Sequence, residues 1–108
     1  MAQDFERAIA RVIGTSASTL LTSDSDDAVI GIRLANVLTS AINVSVYVTS
    51  SSNDYYLVKD VSIPPASAVE IIQGGSKVVL QSGDALKVVS DTASSTDVWV
   101  SYIDTISA

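Results

Sequence analysis

Ile42-Asn43-Val44-Ser45-Val46-Tyr47-Val48-Thr49 decides the class of the fold. Every second residue is a branched aliphatic, and most of the others are small and polar. A period of two is what a strand needs when one face is buried and the other meets water. The alternation returns in weaker form along most of the chain, with turn residues between the runs. These runs and turns make a small all-β domain.

Working outward, Ala28–Val37 is a second strand rich in β-branched residues, with Gly31 and Arg33 interrupting one face. Leu38–Ala41 joins it to the first run, so the pair is expected to form a hairpin. Ser50–Asp54 is a turn, and Tyr55–Val61 a further strand. Ile63-Pro64-Pro65 ends that strand, because proline cannot donate to a ladder. Ser67–Ile72, Lys77–Leu80, Ala85–Ser90 and Asp97–Ile103 read as the remaining strands. Gly74-Gly75 and Ser82-Gly83-Asp84 supply turns between them.

Residues 4–13 are ambiguous. Phe5, Ile9 and Val12 recur at helical spacing. Phe5, Ile9 and Ile13 also share one face of a strand, with Arg7 and Arg11 between them. No capping box precedes the segment, which favours the strand. Ser18–Thr22 comes next as a short strand. The expected architecture is one antiparallel sandwich or jelly-roll-like domain of about eight strands. Residues 1–14 form an N-terminal strand or arm, and residues 15–108 the sandwich.

A chain of 108 residues supports a single core. Hydrophobic residues make up 47%, enough to fold, and charged residues only 17%, so the polar surface is mainly Ser, Thr and Asn. The net charge of −6 disfavours a nucleic-acid partner, which needs a basic stripe. No apolar run approaches the roughly 20 residues of a spanning helix. The first residues lack the layout of a signal peptide, which points to synthesis in the cytoplasm. Cysteine and histidine are both absent, which excludes disulfides, thiolate or imidazole zinc sites, and Ser-His-Asp or Cys-His catalysis. No cofactor is expected.

Candidate chemistry is thin. Asp24, Asp26 and Asp27 offer oxygens to calcium but lack the glycine and distal glutamate of an EF-hand loop, so a hydrated loop is the better reading. Asp54, Asp60, Glu70 and Asp84 are possible paired carboxylates, but nearly all flank turns, where Asp bonds its own backbone. Gly74-Gly75-Ser76-Lys77 lacks the spacing of a phosphate loop and the helix that must come after it. Asn43-Val44-Ser45 matches a glycosylation acceptor but lies within a strand. No enzyme is expected.

The aromatic residues say more. Val98, Val100 and Tyr102 share one face of the last strand, and Trp99, Ser101 and Ile103 the other. If the valines are buried, Trp99 points outward, either beneath another layer or as an interface anchor. Tyr47 is placed in the same way between Val46 and Val48, and Tyr55 and Tyr56 flank a turn. Phe5, Ile9, Tyr47, Tyr55, Tyr56, Trp99 and Ile103 are therefore the candidate interface residues, for subunit contacts or for stacking on a sugar.

One resemblance spans nearly the whole chain. It is carried by Ile13-Gly14-Thr15-Ser16, by Ala28-Val29-Ile30-Gly31-Ile32-Arg33-Leu34-Ala35-Asn36-Val37 and by Asn53-Asp54-Tyr55-Tyr56-Leu57-Val58-Lys59. The short start Ala2-Gln3-Asp4-Phe5-Glu6-Arg7, then Ile63-Pro64-Pro65-Ala66-Ser67, Val79-Leu80-Gln81-Ser82-Gly83-Asp84-Ala85-Leu86-Lys87-Val88, Asp91-Thr92-Ala93-Ser94-Ser95 and Val98-Trp99-Val100-Ser101-Tyr102 complete it. The order resembles small virion structural proteins of tailed bacteriophages, cyanophages in particular. The resemblance implies a non-enzymatic, homo-oligomeric building block of the virion. Its place would be capsid decoration or cement, or else neck, collar or tail, and its partners other virion proteins. A carbohydrate-binding module of a receptor-binding fibre is the rival.

Overall fold

A computed structural model describes residues 4–72 and 78–104 of the chain. The described residues form nine strands: β1 (Asp4–Ile13), β2 (Ser18–Thr22), β3 (Asp27–Asn36), β4 (Ile42–Ser50), β5 (Asn53–Ile63), β6 (Ala68–Glu70), β7 (Val78–Leu80), β8 (Ala85–Ser90) and β9 (Thr96–Asp104). The chain folds back on itself about the β4–β5 hairpin. β4 pairs with β5, β3 with β6 and then β7, β2 with β8, and β1 with β9, all antiparallel. Two further pairings, β3 with β9 and β4 with β8, stitch these ribbons into two sheets. The first sheet runs β1-β9-β3-β6, with β7 also on β3, and the second runs β2-β8-β4-β5. With β6 and β7 taken as two pieces of one strand position, this is the jelly-roll order.

The alternation that defines β4 now has a physical object. Ile42, Val44, Val46 and Val48 face the opposite sheet, with Leu86 and Val88 beside them on β8. Ile32 and Leu34 of β3 and Val98 and Val100 of β9 meet them from the first sheet. Each fully buried side chain of this kind contributes about 1.5–3 kcal/mol. Residues 4–13 are strand rather than helix: β1 runs along β9 from the pair Asp4–Asp104 to the pair Ile13–Thr96.

Three expectations change. Ala28–Val37 and Ile42–Thr49 do not form a hairpin, since β3 and β4 lie in different sheets. Asn36 redirects the chain between them. Its buried amide donates to the carbonyls of Ser40, Ile63 and Pro64 at 2.8, 3.1 and 3.1 Å, and its oxygen accepts from the Leu38 N–H at 2.9 Å. The tight hairpin is instead β4–β5, turned by Ser51 and Ser52, both with positive φ, which matches the twist of the flanking strands.

Ile13 does not share a face with Phe5 and Ile9. Between Ala10 and Ile13 the strand carries an extra residue against β9. Val12 takes up the irregularity at φ 49° and donates its N–H to Asp97 Oδ1 at 2.9 Å. A bulge reverses the parity of the residues beyond it, so Ile13 enters the core. The strand expected over Ser67–Ile72 shrinks to Ala68–Glu70. The expected Gly74-Gly75 turn and the Gly74–Lys77 segment lie outside the described residues.

Candidate interaction surface

The outer face of the first sheet carries most of the candidate residues. Register places Phe5, Ile103 and Ala28 in one row across β1, β9 and β3. Arg7, Ser101 and Gly31 form the next row, and Ile9, Trp99 and Arg33 the third. Val98, Val100 and Tyr102 point inward, so Trp99 points outward and is 50% exposed. Among the described residues, neither the second sheet nor β1 buries it. Phe5 is 77% exposed and Ile9 is exposed beside it, on a strand that forms the sheet edge. Exposed apolar side chains gathered on one rigid sheet face mark an interaction surface.

Arginines accompany them. The Arg7 guanidinium lies 5.2 Å from the centroid of the Trp99 ring, within the range of a cation–π contact. Arg33 flanks Trp99 on β3, and Arg11 lines the same shallow groove of about 460 Å³ with Ile9, Ala35 and Asp97. All three arginines of the chain are therefore on this face. Arg7 and Arg11 alternate with Phe5 and Ile9 in the sequence, so their shared face was readable there. Arg33 and Asp97 were not, because their closeness to Trp99 depends on lateral register. Two carboxylates share the face. Asp97 holds the Val12 N–H, and Glu70, paired in register with Arg33, accepts from the Ile32 N–H at 2.7 Å.

The remaining aromatic candidates lie elsewhere. Tyr47 and Tyr56 are register partners on the outer face of the second sheet, with ring centroids 5.0 Å apart and Lys59 Nζ 5.0 Å from the Tyr56 ring. Tyr47 is only 8% exposed, so it supports Tyr56 rather than offering surface of its own. Burial raises its pKa, with Asp54 and Tyr56 adding to the effect. Tyr55 is exposed on the edge strand β5, opposite Val48. The seven candidates thus divide between two outer faces and, for Tyr55, the β5 edge, and are not one site.

The other carboxylates that make hydrogen bonds serve nearby hydroxyls and backbone N–H groups. Asp54 accepts from the Thr49 hydroxyl at 2.7 Å, and Asp84 from the Gln81 N–H at 3.0 Å. Asp60 sits at a positive-φ position of β5, and its N–H donates to Ser45 Oγ at 2.9 Å. Asp91 has its pKa lowered, first by the Asn43 N–H and then by the Thr92 hydroxyl. In the acidic loop, Asp27 is buried and accepts from the hydroxyls of Ser23 and Ser25. Among the described residues no three carboxylates converge as a cation site. No described helix is long and apolar enough to cross a membrane.

No family model matches the chain, and no curated protein or solved structure is significantly similar to it.

Proposed function

We propose that this protein is a non-enzymatic structural component of a tailed-bacteriophage virion, serving first as a capsid decoration or cement protein. The observation that carries the reading is the Trp99 face: an exposed aromatic and aliphatic surface with arginines, on a rigid jelly-roll brick. Trp and Arg are the side chains on which protein interfaces concentrate their binding energy. The segment-by-segment resemblance to phage virion proteins supplies the setting. Asp54, Glu70, Asp84 and Asp97 are engaged in holding turns and strand irregularities, which supports a building role over an enzymatic one. A small domain of this kind acts through many weak contacts made together on a symmetric lattice. A place in the neck, collar or tail uses the same physics.

Mass spectrometry and antibody labelling of purified particles test this. The protein is expected in the particle at high copy number. Its presence only in infected-cell lysate, and not in particles, sinks the proposal.

A second reading has its own support. Trp99 beside a shallow groove with Arg33 and Asp97 offers a stacking surface and hydrogen-bonding groups for a sugar. Glycan-array binding abolished by Trp99→Ala would favour a carbohydrate-binding module.

A further inference from the structure

Charge is segregated along the first sheet. Its outer face holds Arg7, Arg11 and Arg33 against Asp97 and Glu70, a formal +1 in a chain of −6. The remainder of the chain therefore carries −7. Much of that charge gathers at one end of the same strands, beyond the Phe5–Ile103 row. Asp4 and Asp104 are register partners there, at the start of β1 and the end of β9. The loop that carries Asp24, Asp26 and Asp27 reaches Asp104, with Ser25 Oγ 3.4 Å from Asp104 Oδ1. Asp84 joins the same end through the bond from the Ser23 N–H to its carbonyl. Among the described residues, neither this loop nor the rows Asp4–Asp104, Thr22–Ala85 and Asp27–Leu80 include a lysine or arginine.

We infer that the Trp99–arginine face binds a second copy of this chain through that copy's acidic end. Contact between two identical faces would bring together two surfaces of the same net sign, which opposes association. A head-to-tail contact instead matches opposite charges and covers Trp99, Ile9 and Phe5. Such a contact uses two different patches, so each copy retains one free donor and one free acceptor surface. It propagates into a ring or an open row, as a repeating surface layer requires. The inference deepens the proposed structural role by naming the partner. It is tested on purified protein, so its failure is separate from failure to find the protein in particles.

The experiment uses light scattering and sedimentation velocity on the full chain in about 10 mM and about 1 M salt, where screening lengths are about 30 Å and about 3 Å. Wild type is expected to exceed the 11.2 kDa monomer in low salt, increasingly so with concentration, and to dissociate in high salt. Arg7→Glu/Arg11→Glu reverses the sign of the face, and Asp24→Lys/Asp26→Lys removes most of the net negative charge of the acidic end. Each variant alone is expected to be monomeric, with an unchanged far-ultraviolet sheet spectrum. Mixed, they are expected to associate, because the intact arginine face of one variant meets the intact acidic end of the other. A wild type that stays monomeric in low salt overturns the inference, as does assembly indifferent to either reversal, or a mixture that fails to recover. A monomer that binds polygalacturonate through the arginine face overturns it in favour of an acidic glycan.

Discussion

Arg7 and Trp99 stack diagonally across the β1–β9 ladder, with 5.2 Å between the guanidinium carbon and the ring centroid. Arg7 is paired in register with Ser101 and Trp99 with Ile9, so the contact reaches one row along the sheet. It steadies the indole on a face that no other described layer covers.

That placement separates Trp99 from the fold's stability. Trp99→Ser removes an exposed stack, worth about 0.5–1 kcal/mol at a solvent-facing site. Val100→Ala, one residue on, deletes buried methyl groups and leaves a void, at about 2 kcal/mol. Urea unfolding of the two variants is expected to rank them in that order. A larger loss from Trp99→Ser would mean that the indole is structural, and would undercut its reading as a docking anchor.

How much of the fold and of this surface was legible in the sequence depends on the kind of contact. Alternation along β4 and β9 assigned Val44, Val46, Val98 and Val100 to the core and Trp99 to the outside, because strand parity is local. The same parity failed at Ile13, where one extra residue at Val12 reverses the faces. A bulge leaves no signature in a run such as Arg-Val-Ile. The β3–β4 relation failed for a different reason. A link as short as Leu38–Ala41 between two strands suits a hairpin, and nothing in the composition reveals that Asn36 fastens the end of β3 to the carbonyls of Ile63 and Pro64. The grouping of Arg33 with Trp99 is a matter of which strands are neighbours, and that is set by the whole topology.

Asn36 is accordingly expected to be among the costliest polar positions to change. It is 3% exposed and makes four hydrogen bonds through one side chain. Asn36→Leu keeps the approximate volume but strands the Leu38 N–H and several carbonyls. Each buried unsatisfied group costs about 1–3 kcal/mol, so a loss of about 3 kcal/mol or more is expected in urea unfolding. Asn36→Asp retains the acceptor but points a carboxylate at those carbonyls. It is expected to be worse still at neutral pH and to recover partly in acid, as the carboxyl gains a proton. A loss below about 1 kcal/mol for Asn36→Leu would refute the hub.

Val12 runs the other way, as a position where replacement helps. A β-branched residue at positive φ is strained, at about 1–3 kcal/mol, while Asn tolerates that region. Val12 is largely exposed, so little burial is lost on replacing it, and the bond from its N–H to Asp97 needs only the backbone. Val12→Asn is expected to stabilise by about 1 kcal/mol, raising Tm by about 4–8 °C for a domain of this size. Calorimetry checks this. A fall in Tm would show that the bulge does not hold residue 12 in the left-handed region.

Alkaline pH is expected to weaken the fold through Tyr102. Its phenol is pushed up to about 12, by burial first and then by the Glu6 carboxylate, to which its hydroxyl donates at 3.2 Å. The ordinary value is about 10, so the unfolded chain releases this proton more readily than the folded one. The resulting stabilisation is complete below about pH 10 and is lost as pH rises from there towards about 12. Tyr47, raised mainly by its burial, adds in the same direction. Urea midpoints for the wild type should therefore fall between about pH 9 and about pH 11.5. Tyr102→Phe should flatten most of that slope, and Tyr102→Phe/Tyr47→Phe nearly all of it. The single variant also forfeits the hydroxyl's bond to Glu6, so its stability at about pH 8 should sit slightly below wild type. Equal slopes for wild type and the double variant would show that neither phenol governs the alkaline limit.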